Sequence, residues 1–178
     1  PDDWLLQLNG QFAIALWDQR QRSLVLARDR MGVRPIYYTL RNDFLLFASE
    51  MKSLFAHPGI EAELDAVSLA QVFTFWTTLS SRSSFRNIQS VPPGHYAVIK
   101  DGSVKVVRYW QLDLSTDDNS PKSMDEAAEQ LRWLLDDAVR LRLLRSDVPV
   151  GAYLSGGLDS SSITALTSRH TDTKLRTF

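Results

Sequence analysis

Not one of the 178 residues is a cysteine. That absence excludes disulfides, thiolate metal centres and a cysteine nucleophile from this chain. Long apolar runs are missing too. None approaches the ~20 residues that span a bilayer, and the opening Pro1-Asp2-Asp3 is unlike a secretory signal. A cytoplasmic setting without a membrane partner is the expectation. Charge of one sign is equally scarce, with 20 Lys and Arg against 21 Asp and Glu and a formal net charge of −1. Such a balance creates no global field for nucleic acid, so a phosphate-bearing ligand would need local help. What is present, 44% hydrophobic and 23% charged residues, is ordinary for a globular protein of one or two domains.

Local help for phosphate lies between Val148 and Leu166: an apolar run, a glycine pair flanked by hydroxyls, then an amphipathic segment. The pattern predicts strand, tight loop and helix, with a buried strand over Val148 to Leu154 and a helix starting near Asp159 or Ser160. Gly156 and Gly157 can take φ > 0 and admit an anion close to the backbone. The first N–H groups of the helix, its positive dipole end and the hydroxyls of Ser155, Ser160 and Ser161 would converge there. A Walker loop needs Lys then Ser/Thr where Leu158-Asp159 stands, the G-x-G-x-x-G fingerprint is absent, and an esterase elbow needs Gly in place of Tyr153. The plain alternative is a Ser-Gly-Gly turn with Asp159 capping a helix.

Earlier in the chain, Gly10 to Trp17 and Ser23 to Ala27 predict two buried strands joined by a polar turn. Ile36 to Leu40, a turn at 41–43 and Phe44 to Ala48 extend this to an antiparallel meander, and Asn9-Gly10 reads as a turn. A short helix is expected from Glu50 to Phe55, and a second from a cap at Asp65 to Phe75. After Val91-Pro-Pro-Gly94, a hairpin is expected from His95 to Val107 around Asp101-Gly102. Arg28-Asp29-Arg30 reads as an ion-paired corner fixing one hairpin against the next, with Gly32 and Pro35 shaping the turn. Polar residues from Gln111 to Met124 mark a linker. Ser123-Met-Asp-Glu126 is a capping-box pattern opening a helix to about Leu144, whose Arg140, Arg142 and Arg145 could steady its last carbonyls.

Two stretches carry a family resemblance. Leu26-Ala-Arg-Asp-Arg-Met-Gly-Val-Arg-Pro-Ile-Tyr-Tyr38 with Phe47-Ala-Ser-Glu-Met-Lys52 resembles the glutaminase domain of class II, N-terminal-nucleophile amidotransferases. Asp147 to Ser161 resembles the Ser-Gly-Gly-x-Asp-Ser loop of ATP pyrophosphatases in its asparagine synthetase form, and Pro92-Pro-Gly-His95 and Tyr109-Trp110 fit the end of the asparagine synthetases' glutaminase domain. The resemblance implies an α+β antiparallel glutaminase portion over 1–112, a linker over 113–122, and the start of an α/β parallel-sheet ATP pyrophosphatase domain over 123–178. It implies ATP and Mg²⁺ as cofactors and glutamine and aspartate as substrates of the parent enzyme, and it allows a homodimer. Tyr153, Leu154, Ser155, Gly156, Gly157, Asp159, Ser160 and Ser161 would meet ATP or pyrophosphate, with Asp159 on the metal. The family's nucleophilic Cys has no counterpart here, so no catalytic residue of glutamine hydrolysis is carried over, and an internal fragment is the expectation. Two alternatives stay open: a β-lactam synthetase or peptide cyclase with a disabled glutaminase half, and a non-catalytic module.

Overall fold

The computed structural model describes residues 3–41, 44–79, 81–115, 120–171 and 174–178. The tip of the turn expected at 41–43 and residues 116–119 of the expected linker lie outside these. The chain divides into two compact units, Pro1–Asp113 and Leu114–Phe178.

The first unit holds two antiparallel sheets. One joins β1 (Ala13–Asp18), β2 (Ser23–Arg28), β6 (His95–Lys100) and β7 (Ser103–Arg108) in the order β1-β2-β6-β7. The other joins β3 (Tyr37–Leu40), β4 (Leu45–Ala48) and β5 (Gln89–Ser90) in the order β4-β3-β5. The three expected hairpins therefore form, but not as one meander. After β2 the chain leaves its sheet, and β2 takes β6 as its second neighbour, with Leu26 opposite Ala97. Leu26 and Ala27 point to opposite faces of β2, as neighbours on a strand must, and both are fully buried. That sheet is accordingly covered on both sides. Leu26, Ala97 and Ile99 pack with Tyr38 and Ile36 in one core cluster, while Ala27 and Tyr96 pack with Leu5 of α1 (Asp3–Leu6) in another. The outer face of the second sheet rests on Leu54 of α2 (Met51–Leu54) with Ile60 and Ile88. β1 departs from the buried strand expected of it. It pairs only with β2 among the described strands, and Leu16 and Trp17 stay about half exposed.

Local signals explain the ends of the elements. Asp101 and Gly102 both have positive φ, as a two-residue hairpin turn of the primed type requires. Asp65 accepts from the Ser68 N–H at 2.7 Å and starts α3 (Ala66–Phe75).

The corner at residues 28–34 differs from its expectation, because Arg28, Asp29 and Arg30 form no ion pair among the described residues. They bind backbone and hydroxyl groups instead. Arg28 donates to Ser90 Oγ at 3.1 Å, the Val91 carbonyl at 3.0 Å and the Gly32 carbonyl at 2.6 Å, tying β2 to β5 in the other sheet. Arg30 donates to the Leu6 carbonyl at 2.6 Å. Asp29, 1% exposed, accepts from the N–H groups of Arg34 at 2.9 Å, Val33 at 3.0 Å and Phe12 at 3.3 Å. Burial alone would raise its pKa, yet these N–H groups outweigh burial and hold the carboxyl below its ordinary value. Turn N–H groups that must be satisfied lie nearer to Asp29 than either guanidinium does, which is why hydrogen bonds replace the ion pair. Gly32 sits at φ +67°, where an added Cβ would meet Pro93 Cγ at 2.6 Å. Tyr109 completes the corner by donating to the Arg28 carbonyl at 2.8 Å.

The second unit contains α4 (Met124–Leu144), β8 (Gly151–Ala152), α5 (Leu158–Arg169) and β9 (Arg176–Thr177), with β8 and β9 parallel. The capping box forms in part. Ser123 accepts from the Glu126 N–H at 3.1 Å, while Glu126 reaches the Lys122 N–H at 2.9 Å. Against the expectation that the three arginines steady the last carbonyls, Arg142 donates to the Ala138 carbonyl ahead of the last turn and Arg140 pairs with Asp137. No helix among the described residues is long and apolar enough to cross a membrane.

Candidate functional site

The strand leading to the glycine pair is shorter and more open than the buried strand expected from Val148 to Leu154. Only Gly151 and Ala152 are paired, and Val148 and Tyr153 are largely exposed. This sheet has two strands among the described residues, so little covers the apolar run. Phe178, which the sequence reading did not single out, does the local anchoring. Its N–H donates to the Ala152 carbonyl at 3.1 Å, and its carbonyl accepts from Leu154 N–H at 2.8 Å. Its ring lies over Gly151, where an added Cβ would stand 3.0 Å from it. With its N–H taken, what Leu154 keeps for a ligand is its carbonyl.

Beyond Leu154 the chain turns sharply. Gly156 takes φ +83°, with nothing within 4 Å of where a Cβ would be. Gly157 does not share that conformation, contrary to the expectation for the pair: its φ is −75°, and it is the N-cap of α5. The helix thus begins at Leu158, one or two residues earlier than expected. No side chain caps it. Asp159 lies in the first turn with an exposed carboxylate, so the structure assigns it no capping bond. The ladder opens with Ser161 N–H donating to the Gly157 carbonyl at 3.0 Å. The N–H groups of Leu158, Asp159 and Ser160 precede that bond and have no acceptor inside the helix.

The hydroxyls gather at the same place. Ser155 Oγ and Ser160 Oγ are 3.0 Å apart, and Ser160 Oγ also donates to the Gly157 carbonyl at 3.2 Å. The structure therefore brings Ser155, Gly156, Gly157, Asp159, Ser160 and Ser161 into one turn, flanked by Tyr153 and Leu154. Free N–H groups, the positive end of α5 and the open space above Gly156 could receive an anion. One acidic side chain accompanies them. The described residues hold no cluster of three or more His, Asp or Glu that could bind a metal, so Asp159 alone could serve as one ligand to a cation already carried by a phosphate.

The profile of the glutamine amidotransferase domain matches residues 2–110, well over half of the chain. The chain belongs to that family. A second profile, asparagine synthase, matches residues 130–178 and takes in the glycine loop. Among curated relatives of this amidotransferase-family chain, it is 38% identical over 170 residues to asparagine synthetase [glutamine-hydrolyzing] 3 of Bacillus subtilis, covering 95% of this chain and 27% of the relative. It is 39% identical over 169 residues to amidase chry2 of Gibberella zeae, covering 93% and 24%. A putative asparagine synthetase [glutamine-hydrolyzing] 2 of Methanocaldococcus jannaschii is 33% identical over 184 residues, covering 99% and 34%. The chain spans about a quarter to a third of the length of these relatives.

Proposed function

We propose that this chain is part of a glutamine-hydrolysing asparagine synthetase, contributing the later part of the glutaminase domain and the ATP-binding loop of the synthetase domain. Glutamine and aspartate are the substrates in this reading, ATP and Mg²⁺ the cofactors, and the cytoplasm the setting. Mg-ATP, where bound, would supply the adenylyl group that activates the β-carboxylate of aspartate with release of pyrophosphate, and ammonia from glutamine would then displace AMP. The chain's own residues hold and neutralise. N–H groups of Leu158 to Ser160 and the hydroxyls of Ser155, Ser160 and Ser161 bind the pyrophosphate portion, and Gly156 and Gly157 leave room for it. The backbone at Tyr153 and Leu154 faces the adenine side. The thiol that glutamine hydrolysis needs is not among these 178 residues.

The observation that carries the reading is the uncapped start of α5 beside the open Gly156 turn, inside the region matched by the asparagine synthase profile. Asp159 tests it. A bare carboxylate about 4 Å from a phosphate oxygen is repelled by about 4 kcal/mol per charge pair at an effective dielectric near 20. Mg²⁺ held by Asp159 would offset that repulsion. In the protein that carries this chain, Asp159→Asn should leave folding intact, because the side chain makes no capping bond. It should slow ATP-dependent pyrophosphate release by about 10²-fold and raise the Mg²⁺ concentration needed for half-maximal rate. Normal turnover with an unchanged Mg²⁺ titration would remove Asp159 from the site.

A further inference from the structure

The contact between α4 and α5 is thin. In the second unit the buried side chains among the described residues are Val139, Leu166 and Thr167. So few apolar groups resist separation of the helices but interlock weakly along their axes, and position along an axis is set by how many ridges fill how many grooves. A directional contact extends this small patch. His170, the C-cap of α5, places Nε2 2.8 Å from Oδ1 of Asp136 on α4. A carboxylate oxygen only accepts, so Nε2 is the donor. Asp136 precedes Val139 by three residues, and His170 follows Leu166 by four and Thr167 by three, so the bond continues the packing stripe on both helices. The neighbouring Arg140, which could compete for Asp136, is engaged with Asp137 at 2.6 Å.

The far end of α5 carries the glycine loop. Twelve helical residues make a rod about 18 Å long, so a shift at His170 is transmitted to the N–H groups of Leu158 to Ser160. We infer that Asp136 and His170 form a positioning clasp for the phosphate loop: it fixes α5 along α4 and thereby sets where the loop's donors meet a polyphosphate. The inference rests on reading the loop as a pyrophosphate site. Neither residue touches the ligand; both act through α5.

Calorimetric titration of the full chain with Mg-ATP and with inorganic pyrophosphate, alongside far-ultraviolet circular dichroism, tests the clasp. His170→Ala should weaken both ligands about fivefold, the low end of coupling between separated sites, with helix content unchanged. His170→Gln, whose amide nitrogen can stand in for ring Nε2, should restore most of the affinity. The double change of His170→Ala with Asp136→Ala should be no weaker than His170→Ala alone, since each removes the same bond. If His170→Ala loses helix signal, Asp136→Ala takes its place with the same expectation. Affinity unchanged in the folded alanine variant, a glutamine variant as weak as alanine, or additive losses in the double variant would each overturn the clasp while leaving the loop reading standing. Failure of the unaltered chain to bind either probe would overturn the loop reading and the clasp together.

Discussion

Gly94→Ala is expected to destabilise the first unit by far more than the same change at Gly102, although the two glycines share a backbone conformation. Their φ angles are +68° and +71°. In that left-handed region an alanine costs about 1 kcal/mol relative to glycine at either position. Surroundings separate them. At Gly102 nothing lies within 4 Å of an added Cβ, whereas at Gly94 the Cβ would stand 2.6 Å from the Trp110 carbonyl oxygen and 3.3 Å from its carbonyl carbon. Backbone cannot rotate away as a side chain can. It is held, moreover, by Gly94 itself, whose carbonyl accepts from Tyr109 N–H at 2.9 Å and Trp110 N–H at 3.1 Å, and whose N–H donates to the Asp29 carbonyl at 3.0 Å. Relieving the clash therefore loosens two or three hydrogen bonds worth about 1 kcal/mol each. Strain and loosened bonds together give about 3 kcal/mol at Gly94, against about 1 kcal/mol at Gly102.

Urea unfolding followed by tryptophan fluorescence reads the difference directly, provided the slope with denaturant stays the same in both variants. A gap near 2 kcal/mol between the two would support the reasoning. Equal losses would refute it, because strain at positive φ would then account for both and the closeness of Trp110 would be irrelevant.

Asp29 gives a pH prediction whose sign follows from its depressed pKa. The group stabilises the fold above the unfolded carboxyl value of about 3.9 and loses that contribution as pH falls through the lower folded value. Asp29→Asn should flatten this acid limb and lower stability near neutral pH by about 3 kcal/mol, since an amide NH₂ would face N–H donors; an acid limb as steep as before would show that other groups govern it. In the glycine loop, Gly156→Ala should weaken pyrophosphate binding more than Gly157→Ala, because only Gly156 has positive φ; titration calorimetry showing the reverse order would contradict the turn described. Ser123→Ala should lower the helix content of the second unit and cost about 1 kcal/mol, the usual worth of an N-cap, and an unchanged thermal melt would show that the Ser123 cap contributes nothing.

Features fixed within about four residues were legible in the sequence. The caps at Asp65 and Ser123, the Asp101-Gly102 turn and the strand, loop and helix around Ser155 to Ser161 follow from side chains that bond their own neighbouring backbone or from glycine's access to positive φ. The turn and helix start that form the loop were legible for the same reason. Which strand lies beside which was not. Leu26 could pair with any apolar strand of suitable alternation, and burial on both faces selected Ala97, far along the chain, over the adjacent β3. The tertiary structure also decided that Asp29 would satisfy turn N–H groups rather than its flanking arginines, and that Gly94 is required because Trp110 passes over it. It restricted positive φ to Gly156 of the loop's glycine pair and brought His170 to Asp136 across 34 positions. In each case the deciding energy is a long-range contact, desolvation or close packing between segments that share no local pattern, so a chain read residue by residue specifies the parts while packing chooses their neighbours.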